Sequence, residues 1–164
     1  MHLEKYDEYI NIDKSIKLFT EVSKILKVTS KMKYDCIASS LVYHHVNDKE
    51  KLNFLFKIYN NIKTNGKIIL GDCFINNYSN EKERNNSFKL FYKSRVDNEK
   101  NNMIREMQKN YLNKSLSRTD EWKTSIEFLI AQLKQTGFSN IVVKNVGNQK
   151  NGGYKIVIAE KIGL

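Results

Sequence analysis

The sequence predicts an α/β protein: a mostly parallel sheet with covering helices, closed at its C-terminal end by an antiparallel hairpin. Three observations carry this. The short apolar runs 34–39 ("YDCIAS") and 67–72 ("KIILGD") have the near-continuous hydrophobicity of strands buried on both faces. An amphipathic segment, 48–64, lies between them, as expected of a β-α-β unit. Two alternating runs, 140–146 ("NIVVKNV") and 154–160 ("YKIVIAE"), flank the turn-forming "GNQKNGG".

In chain order, "YDEYINI" (6–12) is a candidate short strand. Residues 14–27 follow helical spacing, with Ile16, Phe19, Val22 and Leu26 on one face, and "VTSKM" breaks the pattern. The 48–64 helix carries a stripe of Leu52, Leu55, Phe56, Tyr59 and Ile62. Asn47 is its expected N-cap, with Glu50 three residues on, and Asn65-Gly66 its left-handed stop. From Phe74 to Leu116 the chain is polar, with helical pieces near 81–95 and 99–112. The weak apolar face of the second (Met103, Ile104, Met107, Tyr111) suggests a surface layer or a lid over the strand ends. A firmer helix is expected over 120–136, with Trp122, Ile126, Leu129, Ile130 and Leu133 aligned, Thr119 as cap and Gly137 as terminator.

With 164 residues, the chain is expected to form one domain. No apolar run approaches 18 residues, so no transmembrane helix is expected. The N-terminal "MHLEKYDEYINIDKS" lacks the apolar core of a signal peptide. Cys36 and Cys73 fall in expected strands and read as reduced structural thiols, consistent with a cytoplasmic protein. The net charge of +10 admits a nucleic-acid partner, but the lysines are spread along the whole chain. Lysine outnumbers arginine, asparagine is abundant and proline absent, a pattern better explained by AT-rich coding than by a binding stripe.

The stretch "YDCIASSLVYHHVNDKEKLNFLFKIYNNIKTNGKIILGD" resembles the middle of the class I S-adenosylmethionine-dependent methyltransferases. In that family a strand like "FDxIxSxxxLHH" precedes a helix, a "LKPGG" turn and a strand ending in "xD"; here Thr64-Asn65 replaces the usual Pro-Gly. The tail "FLIAQLKQTGFSNIVVKNV…YKIVIAEK" is similar to the family's last helix, "GF" turn and closing hairpin. "YINIDKSIKLFTEVSKIL" is similar, more weakly, to its second strand and helix. The resemblance implies a Rossmann-like methyltransferase sheet, with S-adenosylmethionine as cofactor and a small molecule or an RNA base as acceptor.

One departure is plain. The family cradles its cofactor with a glycine-rich turn after the first strand, and this sequence has no glycine before Gly66. The resemblance therefore implies a sheet incomplete on its N-terminal side. Three outcomes are open: segment 6–12 pairs directly with the 34–39 strand, a partner chain or self-association completes the sheet, or the chain is a marginally stable fragment.

Candidate site residues follow with their alternatives. His44 is a possible general base beyond the strand end, or a packing and capping residue of the His44-His45 pair. A metal is not expected there, since His2 is the only other histidine and Cys36 and Cys73 fit no zinc spacing. The resemblance places Asp72 facing the substrate, and it places Ser39, Ser40 and Leu41 along the methionine end of the cofactor; each is otherwise a turn or loop residue. It places Asp13 on the cofactor's ribose hydroxyls, against a plain helix N-cap. Tyr78, Phe88, Phe91 and Tyr92 either cover a substrate or form the buried side of a helix pair. The expected activity is methyl transfer. The alternatives are a non-catalytic methyltransferase-fold module that does not hold the cofactor alone and, more weakly, a basic RNA-binding accessory protein.

Overall fold

The computed structural model describes residues 33–119, 121–147 and 150–163. The candidate strand 6–12, the helix 14–27 and Asp13 lie outside the described residues. Four strands form one mixed sheet in the order β1 (Tyr34–Ser40), β2 (Ile62–Phe74), β4 (Gly153–Glu160), β3 (Ser139–Asn145). β1 and β2 are parallel, while β4 runs antiparallel to both β2 and β3. The helices are α1 (Lys51–Asn61), α2 (Glu81–Asn98), α3 (Asn102–Ser117) and α4 (Ile126–Thr136). Among the described residues β1 pairs on one side only, with β2.

The register explains the main core. Ile37, Ile68 and Ala159 sit side by side across three strands, and Leu70 and Val157 form the next row. This row structure packs against Phe54, Leu55 and Ile58 of α1 and Leu129 and Leu133 of α4. Burial of such apolar area supplies the largest favourable contribution to folding. A second core lies between α2 and α3, where Phe88, Phe91 and Tyr92 meet Ile75, Tyr78, Tyr111, Leu112 and Leu116. The aromatics of 78–92 are thus the buried side of a helix pair. On α3 the expected stripe splits: Tyr111 packs inward, while Met103, Ile104 and Met107 face solvent.

Several element boundaries differ from expectation. The first helix begins at Lys51, and Glu50 rather than Asn47 is its N-cap, without a side-chain cap bond. Asn47 serves the preceding turn, its side chain accepting from the Lys49 N–H at 3.0 Å. The buried face is Lys51, Phe54, Leu55 and Ile58, leaving Phe56 exposed. The helix ends at Asn61, and the chain turns directly into β2. Asn65 does adopt a left-handed φ of 63°, but within β2, where its N–H donates to the Lys161 carbonyl at 2.7 Å. The expected 120–136 helix is shorter. Ser125 caps it through the Phe128 N–H at 3.2 Å, so Thr119 does not, and residues 121–125 run extended beside Ile75. They are held by backbone bonds from Trp122 N–H to the His44 carbonyl (2.7 Å) and from Ile75 N–H to the Thr124 carbonyl (3.1 Å). Long-range pairing outweighs helical periodicity here. Gly137 ends α4 as expected, at φ 106°.

Candidate active site

β1 and β2 are parallel, so their carboxyl ends share one edge of the sheet, the edge where α/β folds bind ligands. The site grows from the turn after β1. Leu41 takes a left-handed φ of 55° and donates its N–H to the Gly71 carbonyl at 2.8 Å. A 3-10 turn over Tyr43–His45 follows. With three residues per turn, successive side chains diverge by about 120°. Tyr43 goes into the main core, 6.1 Å from the Phe54 ring centroid, its hydroxyl donating to Gln132 Oε1 at 2.5 Å. His44 points instead at β2, and His45 is exposed.

Asp72, fully buried, receives His44 twice: the backbone N–H donates to Oδ2 at 2.9 Å and ring Nδ1 lies 2.5 Å from Oδ1. The Cys73 N–H also donates to Oδ1, at 2.7 Å. Three contacts satisfy a carboxylate that would otherwise be costly to bury. They also fix the histidine ring, with Nδ1 on Asp72 and Nε2 on the opposite side, 4.0 Å from Glu121 Oε2.

Glu121 is buried and ion-paired with buried Lys123. Burial opposes the charge on Lys123, but Tyr92 and Glu121 outweigh it and hold its pKa above the ordinary lysine value. Burial, followed by the charges of Asp48 and Asp72, pushes the Tyr43 phenol well above its usual range. Burial and the Asp72 charge raise the Cys73 thiol, and both cysteines are free.

His44 and Asp72 are therefore brought together. Ser40 lies at the same edge, its Oγ 2.9 Å from the Tyr154 hydroxyl. A side chain at Gly71 would meet that hydroxyl at 2.2 Å, so the glycine makes room for Tyr154 to reach Ser40. Ser39 Oγ is buried with no hydrogen-bond partner, and the Leu41 side chain is half exposed. Sequence reasoning missed Glu121, Lys123 and Tyr154. The only trace of the first two was "DEWK", which reads as the acidic first turn of a longer helix.

Glu121 also bears on metal binding. His44, His45 and Glu121 each offer a ligand atom, all within 4.8 Å of one another. Two imidazoles and a carboxylate are zinc-type donors, but a cation there would compete with Lys123 for Glu121.

No protein-family model and no curated protein sequence matches the chain. Solved structures do. Human N-acetylserotonin methyltransferase in complex with SAM superposes with a TM-score of 0.59 at 16% identity, over 98% of this chain and 38% of its own. PigF with SAH gives 0.53 at 16% identity over 84% of this chain and 33% of its own. An O-methyltransferase family protein from Burkholderia thailandensis gives 0.52 at 8% identity, over 86% and 33%. The chain has the class I S-adenosylmethionine-dependent methyltransferase fold. It spans 33–38% of the length of these three structures. Within the methyltransferase fold its sheet is mixed, with helices flanking the strands. No helix among the described residues is long and apolar enough to cross a membrane.

Proposed function

We propose that this chain takes part in S-adenosylmethionine-dependent methyl transfer to a small molecule, with His44 as the base that removes the acceptor's proton. The observation that supports this reading is the double hold of Asp72 on His44. A carboxylate on Nδ1 fixes the tautomer with the proton on that nitrogen, leaving Nε2 as the acceptor. It also stabilises the imidazolium formed when the ring takes a proton. Asp72 is thus a positioning residue and His44 the catalytic one. Glu121, 4.0 Å from Nε2, stands where it can orient an acceptor hydroxyl or amine and compensate the imidazolium charge. Lys123 holds Glu121 in place through their ion pair.

The turn after β1 fits part of the cofactor. Ser39 Oγ is a buried group without a partner, and Leu41 offers an exposed apolar side chain. Ser40, tied to Tyr154, would stand beside them, and Asp13 would hold the ribose hydroxyls. The cofactor, when bound, supplies the sulfonium methyl for in-line displacement. The helix pair α2–α3, within the 74–116 segment, would cover the strand ends as part of the same domain.

A second reading rests on the lack of any glycine before Gly66. It makes the chain a methyltransferase-fold module that needs a partner chain, or a second copy, to hold the cofactor. Titration calorimetry of the purified chain with S-adenosylhomocysteine separates the two. Micromolar binding supports transfer by this chain and defeats the module; no heat at millimolar ligand does the reverse. RNA as acceptor predicts an RNA affinity that falls steeply with salt, and a flat response would remove it.

A further inference from the structure

We propose that the Nε–Nη2 edge of Arg84 is a receptor for an oxyanion, a carboxylate or phosphate group carried by the methyl acceptor. Arg84 lies in the first turns of α2 and is 2% exposed. Its Nη1 approaches Glu81 Oε1 at 3.4 Å, and its guanidinium stands 4.6 Å from the Phe88 ring centroid. Nε and Nη2 are buried and have no hydrogen-bond partner among the described residues. These two nitrogens form one side of the planar fork, with parallel N–H bonds spaced to meet two oxygens of one carboxylate or phosphate. An unmet pair of charged donors in a protein interior is costly.

No acid among the described residues meets that edge. Glu81 is engaged by Arg118 as well as by Nη1. Asp48 lies 3.2 Å from Lys51 Nζ and 3.9 Å from Arg118 Nη1. Lys51, itself fully buried, lies 5.0 Å from the ring centroid of Tyr43, the residue before His44, and feels the charges of both Arg84 and Asp72. Among the described residues Glu81 and Asp48 are thus taken up by Nη1, Arg118 and Lys51, and the Nε–Nη2 edge is left without a carboxylate. The neighbouring Glu81–Arg118 pair is half exposed, and an anion reaches the buried Nε–Nη2 edge by displacing that pair. That the oxyanion belongs to the acceptor rests on the methyl-transfer reading; the receptor itself does not.

The test uses the wild-type chain and NMR of its arginine Nε–Hε groups. Inorganic phosphate and acetate are titrated separately, at constant ionic strength in chloride. The Arg84 resonance should move saturably in the millimolar range with one of them, which tells phosphate from carboxylate, while Arg95 and Arg105 stay put. R84K, which keeps the charge and loses the fork, should identify the resonance and, followed by isothermal titration calorimetry alongside the wild type, bind the same anion roughly tenfold or more weakly. No saturable shift with either anion overturns the receptor, as does equal binding by R84K. If R84K does not fold, the wild-type titration still decides, with the Arg84 resonance identified by backbone-linked assignment. Binding of S-adenosylhomocysteine is measured separately, so loss of the transfer reading would leave this result standing.

Discussion

Replacing Lys51 by methionine should alter how stability depends on pH more than it alters stability at neutrality. Lys51 is fully buried at the start of α1, its ammonium against the Val46 carbonyl, 3.2 Å from Asp48 Oδ1 and 5.0 Å from the Tyr43 ring centroid. Burial lowers its pKa from 10.5 to about 8, despite the opposing charge of Asp48. The folded chain therefore releases this proton near pH 8, while the unfolded chain keeps it until about pH 10.5. Below pH 8 the folded state carries the full cost of the buried charge, about 3 kcal/mol at 1.36 kcal/mol per pKa unit. Between pH 8 and 10.5 that cost fades, so this residue makes stability rise with pH. In Lys51→Met the charge is gone, but the Val46 carbonyl loses its donor, at roughly 1–3 kcal/mol. The two effects nearly cancel at pH 7. By pH 10 the wild type has shed most of its cost, so the variant's stability relative to the wild type should fall by about 2–3 kcal/mol between pH 7 and pH 10. Urea unfolding followed by the fluorescence of Trp122, the single tryptophan, gives both curves. The difference between them removes the contributions common to both proteins, such as those of the raised cysteine thiols. Wild-type and variant profiles that run parallel from pH 7 to pH 10 would refute the reasoning.

Asp72→Asn should release His44 from its fixed tautomer, visible as a change in which ring nitrogen carries the proton in long-range nitrogen–proton correlation spectra. Transfer to a hydroxyl acceptor should fall by about 10²–10⁴, the range for losing general-base catalysis. Gly152→Ala should destabilise the hairpin connection by about 1–3 kcal/mol in thermal unfolding. Gly152 has φ +79° and an added Cβ would lie 2.4 Å from the Phe74 carbonyl oxygen, whereas Gly147, at φ +74° with nothing within 4 Å, should tolerate alanine with only the conformational cost. Tyr154→Phe should leave the fold intact but free the Ser40 hydroxyl, read as a changed affinity for S-adenosylhomocysteine with an unchanged melting temperature. Cys73, its thiol raised by burial and then by Asp72, should react with a disulfide reagent more slowly at pH 8 than an exposed model thiol, and the rate should climb past pH 9.

The sequence by itself determined most of the element types along the described chain, though not at 62–64 or 121–125. Apolar runs at 34–39 and 67–72 became neighbouring parallel strands, although β1 is fully buried only at Tyr34 and Ile37 rather than on both faces. The hairpin followed from its alternation and turn residues, and Gly137 ended α4 because only a glycine takes φ 106° without strain. The pairing of Asp72 with His44 was half legible: both stood at strand ends, but nothing local said that their side chains would meet. Only the tertiary structure decided the rest. Helical spacing over 120–125 was overruled by bonds to His44 and Ile75, which placed Glu121 beside the imidazole and Lys123 beside Glu121. The charge cluster around Arg84 arises the same way, from residues 48, 51, 81, 84 and 118 meeting across loops and helices. Local patterns record what each segment buries, because burial has a period in sequence; which charged groups face one another across segments has none, and packing alone sets it.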